Sequence, residues 1–179
     1  MELAIYPASL DHLDLILEWR MKVLHDVFAP FDPALESLLY EENKDYYQQH
    51  LADGSHLCFF LVDQSKGSSS NGPAAKNLQT GDLDLAAIIG CGGICLWQEM
   101  PSPDNHNGQC AYLMNIYVLP ACRHHQAATF MVEQFLQICK ERRIGKIYLE
   151  TSQAGRSLYA KCGFIPLADY MIYQKTQNR

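Results

Sequence analysis

Between Asn115 and Gln126 the chain reads NIYVLPACRHHQ and then becomes amphipathic, and here residue types and spacing suggest chemistry. A strand that stops at Pro120 and hands over to a helix with a basic, small-residue entrance can hold an anion. The first turn of a helix leaves backbone N–H groups unpaired and carries partial positive charge, and Arg123, His124 and His125 reinforce that site. The ligand suggested is a phosphate, as in a nucleotide or a cofactor. Cys122 beside the two histidines also permits a Cys/His hydrolase, since a thiol at a helix start is activated, although no third residue that would orient the pair is evident.

A loop of this kind needs a domain around it. The 179 residues fit one domain with a core that needs no disulfides, and 48% apolar with 19% charged residues is the composition of a soluble globular chain. A formal charge of −6 without a long basic run argues against a nucleic-acid partner. The opening MELAIYPASLDHLDLI has neither a basic start nor an unbroken apolar run, so no membrane partner is expected and the chain reads as cytoplasmic. Seven cysteines scattered through apolar stretches read as reduced thiols used as small hydrophobes. Cys91 and Cys95 have no second pair at zinc-site spacing, and no metal site is expected.

The elements follow from periodicity and punctuation. A strand is predicted over residues 2–6, with Ser9 as a cap, then an amphipathic helix over 11–28 on which Leu13, Ile16, Leu17, Val23, Leu24, Val27 and Phe28 recur. Asp32 before Pro33 starts a second helix that runs to about Leu51. Residues 56–62 and 83–97 read as buried strands paired in a hairpin, the second bulged at its glycines. The intervening 64–81, rich in Ser, Gly and Asn, reads as a mobile hairpin loop, and 101–108 as a second polar loop. Then come a strand over 109–118, a helix over 124–142, a strand over 146–150, a short helix over 153–161 and a final strand pair over 164–175. The order is mixed α/β in one domain spanning 1–179, with no internal repeat. The oligomeric state is left open, a homodimer included.

The run MNIYVLPACRHHQAATFMVEQFLQICKERRIGKIYLETSQAGRSLYAKCGFIPLADYM resembles the core of the GCN5-related N-acetyltransferases (GNAT), most closely in IYVLP with Arg123 and in LYAKCGF. The resemblance covers about the C-terminal half of the chain. It implies a central mixed twisted sheet of about seven strands, splayed between strands 4 and 5 and flanked by about four helices. It implies acetyl-CoA as cosubstrate, lying between residues 112–118 and 146–150. The backbone of Ile116, Tyr117 and Val118 would bind the pantetheine arm, and Arg123, His124, His125, Gln126, Ala127 and Ala128 the pyrophosphate. The family usually has Arg or Gln, two residues, Gly, one residue, then Gly or Ala. Gln126 therefore stands where glycine lets the backbone approach the phosphate. Either CoA binding is weakened, or the backbone here is ordinary helix that tolerates a side chain pointing outward.

The family likeness also assigns roles. Tyr159 in LYAKCGF lies beside the thioester sulfur and would protonate the departing thiolate; a core tyrosine under the last strands is the other reading. A lysine-like amine of pKa about 10.4 is free base in only about one part in a few thousand at pH 7, so a base or a water relay is expected. Strand 109–118 lacks the glutamate many relatives place there. Asn115 would at most orient a water, and Glu150 or Glu99 could be the base, or surface acids in ion pairs. Ser152 would donate to the cofactor arm or cap the helix at 153. An amide of Ile116 or Tyr117 would serve the oxyanion. Trp97, Tyr170 and Tyr173 are candidate acceptor walls or core.

The expected reaction is direct transfer from acetyl-CoA to a small-molecule amine acceptor, and the acidic balance favours a cationic one. A catalytically silent CoA-binding or interaction module, and a protein N-terminal or lysine acetyltransferase, stand as alternatives.

Overall fold

Helix starts follow the side chains that cap them. Ser9 accepts from the Asp11 N–H while His12 accepts from the Ser9 N–H, a capping box over a short 3-10 turn that runs into α1, Leu13–Phe28. The Asp32 carboxylate accepts from the Leu35 N–H at 2.8 Å and Pro33 opens α2, Pro33–Ala52.

The computed structural model describes residues 1–28, 30–66, 83–168 and 170–172. One sheet runs in chain order: β1 (Leu3–Ala8), β2 (His56–Asp63), β3 (Ile88–Gln98), β4 (Gln109–Val118) and β5 (Lys146–Leu149). The first three junctions are antiparallel and β4 with β5 is parallel. A parallel neighbour needs a crossover, which α3, Ala127–Glu141, supplies. A short α4, Arg156–Lys161, follows β5. The hairpin predicted from 56–62 and 83–97 is the β2–β3 pair, whose register shifts between Leu61 and Val62, opposite Gly90; the β3–β4 register shifts between Cys91 and Gly93.

Alternation along the strands gives the sheet two apolar faces. One carries Tyr6, Cys58, Phe60, Val62, Cys91 and Tyr117 under Ile16, Leu17, Trp19 and Val23 of α1 and Tyr47 of α2. The other carries Phe59, Leu61, Ile94, Ala111 and Leu113 against Met131, Val132, Phe135 and Cys139 of α3. Each fully buried large side chain contributes roughly 1.5–3 kcal/mol relative to exposure. All seven cysteines are free and most are buried, and burial pushes the Cys58 thiol up to about 12, as befits a small core hydrophobe.

Three expectations change. The sheet has five strands among the described residues, and 164–168 and 170–172 form none. Their apolar alternation imitates a strand, but Pro166 offers no N–H and Ile165, Leu167, Met171 and Ile172 point into solvent. Residues 173–175 of that expected pair lie outside the described residues, as do 67–81 of the expected loop. Helix α3 begins at Ala127, not at 124, because residues 120–126 are taken up by a 3-10 turn, Pro120–Cys122, and by two left-handed residues.

His56 shows what burial does to a titratable group. Its Nδ1 lies 3.1 Å from the Tyr46 hydroxyl and 3.2 Å from the Cys95 thiol, while Nε2 is buried without a partner. Burial first, then the His50 and Arg20 charges, lower its pKa from 6.5 to about 4. The unfolded chain takes up a proton near pH 6.5 that the folded chain refuses until about 4. The stability due to neutral His56 is therefore complete above pH 6.5 and lost as pH falls through 4. It integrates to about 3 kcal/mol. In urea titrations between pH 7 and pH 4, the wild type should lose about that much more stability than His56→Phe.

Candidate active site

The site begins where the sheet stops being a sheet. Cys110 to Leu113 of β4 pair with Lys146 to Leu149 of β5, and there the pairing ends while β4 runs on to Val118. The paired end is pinned by Lys146, bonded to Glu99 at 2.8 Å and Asp104 at 3.1 Å. Beyond Met114, β4 stays paired with β3 but slips in register. Asn115 and Ile116 together face Gly92, and Asn115 adopts φ +56°, so β4 carries a bulge just where β5 leaves it. Among the described residues, backbone groups of β4 past Leu113 that point towards β5 meet no strand. At the end of β5 the chain turns tightly: a Cβ on Gly155 would collide with the Thr151 hydroxyl.

The loop after β4 closes the gap at one end. Arg123 folds back, donating from Nε to the Val118 carbonyl at 2.9 Å with its guanidinium 5.5 Å from the centre of the Tyr117 ring. His124 and Gln126 take φ +67° and +60°. Among the described residues, no backbone N–H from His124 to Thr129 finds a backbone acceptor. A row of free donors at the start of a helix is an anion cradle. The ordinary helical backbone expected at Gln126 is corrected by this geometry: the residue is left-handed, the conformation that favours glycine, and a side chain there costs about 1–2 kcal/mol. Gln126→Gly should therefore raise unfolding stability by about 0.5–1 kcal/mol, the strain relieved less the entropy glycine adds to the unfolded chain. Denaturant titration reads the change directly.

On the α1/α2 face of the sheet, polar and aromatic side chains gather around the bulge. Arg20 of α1 donates from Nε to Asn43 and from Nη1 to Asn115, both at 2.9 Å. Tyr117 donates to Asp26 at 2.5 Å. Tyr112 faces Tyr148 across β4 and β5, and burial followed by the neighbouring Glu150 carboxylate raises its pKa. Trp97 stacks on Tyr148 at 5.8 Å, and Tyr170 lies 6.3 Å from the same ring. Two surface hollows lie elsewhere, one between residues 7–11 and 54–59 and one around 103–107, and neither includes these groups.

A splayed parallel pair, a bulged β4 and a free-amide loop opening α3 agree with what the sequence matches: a model of the acetyltransferase (GNAT) family fits residues 24–164. The chain belongs to this family. Similar solved structures include a predicted acetyltransferase from Clostridium acetobutylicum, with acetyl-CoA, at TM-score 0.75 and 22% identity over 96% of both chains. A GCN5-related N-acetyltransferase from Ralstonia eutropha aligns at TM-score 0.70 and 20% identity, over 96% of this chain and 98% of the other. A glucosamine-6-phosphate N-acetyltransferase from Arabidopsis thaliana aligns at 0.61 and 14%, over 97% and 99%. None of the curated proteins matches the sequence.

Within this GNAT domain the residues singled out from sequence fall into groups. Ile116, Tyr117 and Val118 form the β4 side of the gap, and Arg123 to Ala128 its closing loop. Ser152 lies just past β5 and its hydroxyl makes no cap, leaving it free for another partner. Tyr159 of α4 is half-buried, its ring in contact distance of a Cβ placed on Gly155 and edge-on to Phe164 at 5.9 Å. Glu150 reaches Tyr112, whereas Glu99 is held by Lys146 and Asn105, which lower its pKa. Glu99 is thus an ion-paired acid. The Asn115 side-chain Oδ1 accepts from Arg20. Cys122 is buried in the α3 core while His124 and His125 are exposed, so the hydrolase arrangement is not formed. Trp97 and Tyr170 share one aromatic cluster, and Tyr173 lies outside the described residues.

Sequence reasoning missed Arg20, Asn43, Tyr112 and Tyr148. Among the described residues no group of three or more His, Cys, Asp or Glu is placed to hold a metal ion, and no helix is long and apolar enough to cross a membrane.

Proposed function

We propose that this GNAT protein transfers acetyl directly from acetyl-CoA to the primary amine of a small molecule within one ternary complex. The observation that carries the reading is the gap between β4 and β5, continuous with the unpaired amides of residues 124–129. Those amides, with Arg123, His124 and His125, would hold the pyrophosphate, and free β4 groups from Ile116 to Val118 the pantetheine arm. Ser152, across the gap, adds a hydroxyl. Acetyl-CoA supplies the activated acyl group and a thiolate able to leave.

The remaining work falls to side chains already in place. Glu150 accepts the acceptor's amine proton, directly or through a water, with Tyr112 orienting its carboxylate. The β4 amide at Ile116 stabilises charge developing on the acyl oxygen. Tyr159, kept protonated by burial, holds the proton for the sulfur. Trp97, Tyr148 and Tyr170 give the acceptor an apolar wall.

Calorimetric titration with acetyl-CoA, followed by mass spectrometry of products from an amine panel, tests the reading. Binding with acetylated product supports it. Binding without product across the panel makes the protein a silent CoA-binding module, and absence of binding overturns both.

A further inference from the structure

Arg20 is a charge on an apolar stripe. On α1 the buried positions Ile16, Leu17, Val23 and Leu24 lie three and four residues on either side of it, so helical spacing turns Arg20 towards the sheet. A half-buried guanidinium normally meets a carboxylate. Here its two bonded partners are the neutral amides of Asn43 and Asn115, and none of the ion pairs among the described residues includes it. Those two bonds fix the guanidinium in place and leave the rest of its fork, Nη2 included, without an acceptor among the described residues.

Its position is the second observation. Asn115 is the left-handed bulge residue at the mouth of the gap, so the cation stands beside the place where an acceptor must arrive. The opposite sheet face is covered by Met131, Val132 and Phe135 of α3, all fully buried. The charge reaches several neighbours: after burial and His50 it adds to the lowering of the His56 pKa, and it partly opposes the rise that burial imposes on Tyr46, Tyr47, Cys91 and Cys95. A charge held among half-buried groups is screened far less than distant surface carboxylates, so Arg20 counts locally although the chain as a whole is acidic.

We infer that the acceptor amine also carries an oxyanion, which the free edge of Arg20 receives beside the β4 bulge. This rests on the acetyltransferase reading and names its substrate class. A carboxylate fits best, because the planar guanidinium offers parallel donors to two coplanar oxygens; a phosphate shares the chemistry. The expectation of a cationic acceptor drawn from net charge gives way to this local arrangement.

The test uses matched pairs that differ only in the anion: the L-amino acids against their amides, and 2-aminoethyl phosphate against ethanolamine. With the full chain and saturating acetyl-CoA, at least one anionic member should show a KM about 10- to 100-fold below its neutral partner, the range of a charge-assisted hydrogen bond. Arg20→Gln should abolish that preference by raising KM for the anionic member far more than for its neutral partner, and Arg20→Lys should restore part of it. Calorimetric titration of the same compounds into the CoA complex reads the preference without turnover. A preference in binding without product keeps this inference and removes the catalytic one. Turnover of both members alike, or an equal effect of Arg20→Gln on both, overturns the inference and leaves the acetyltransferase standing. No preference in either assay overturns the inference.

Discussion

Tyr159→Phe should lower kcat by about a hundred-fold or more while leaving acetyl-CoA affinity unchanged, the scale on which a positioned proton donor acts. A thiolate leaves readily only if a proton meets it, and the donor must still hold that proton at neutral pH. Burial first, and the neighbouring Cys162 next, raise the Tyr159 pKa, so the phenol meets the second condition. Its place meets the first in outline. The ring borders the tight Thr151–Gly155 turn that ends β5, and the backbone is held by Cys162 and Phe164 N–H groups donating to the Tyr159 carbonyl, both at 3.0 Å. Phenylalanine keeps the edge-on contact with Phe164 and loses only the hydroxyl, so a drop in rate without a drop in melting temperature isolates the proton. Stopped-flow measurement of a single turnover at saturating acetyl-CoA reads the step. Full turnover there would leave Tyr159 as a packing residue.

Features set by local sequence were legible, and those set by long-range register were not. Ser9 and Asp32 announce their helices because a cap needs only the next few residues, and both cap as expected. The glycines of 90–93 announced a bulge on β3, but its partner irregularity at Asn115 depends on pairing across strands far apart in sequence, and nothing local marks it. The same holds for Tyr112 with Glu150 and for Trp97 with Tyr148. Each pair exists because β5 lies parallel to β4 in one register. Gln126 was legible as an anomaly, and its left-handed backbone now explains why glycine suits that position. Arg20 could have been found. A cation flanked on both sides by apolar residues at helical spacing is visible in the sequence, but a periodicity search that scores only the apolar positions passes over the one that breaks the stripe. The final strand pair differs for the opposite reason: alternation around Ile165, Leu167, Met171 and Ile172 satisfies a local pattern, but no strand forms there among the described residues.

Glu150→Gln should lower kcat/KM for an amine acceptor by about a hundred-fold at pH 7, with the deficit shrinking as pH rises towards the acceptor's own pKa. The reason is the population of free amine. At pH 7 an amine of pKa about 10.4 is free base in about one part in 2500, and a base that takes its proton as it binds removes most of that handicap. Near pH 10 a large share of the amine is already neutral, so the carboxylate adds little and variant and wild type converge. Glutamine keeps the size and the hydrogen bonding of Glu150 but cannot accept the proton. Glu99→Gln is the matched control. Its carboxylate is bonded to Lys146 at 2.8 Å and receives Asn105 Nδ2–H at 3.1 Å, so losing the charge should weaken the pinned end of the β4–β5 pair and leave the pH–rate profile in place. Tyr112→Phe tests the remaining link. Tyr112 lies against Glu150 and directly opposite Tyr148, so removing its hydroxyl frees the carboxylate to rotate and should cost a few-fold in kcat without moving the profile. A parallel loss at every pH in Glu150→Gln would assign the carboxylate to orienting Tyr112 and return proton removal to solvent.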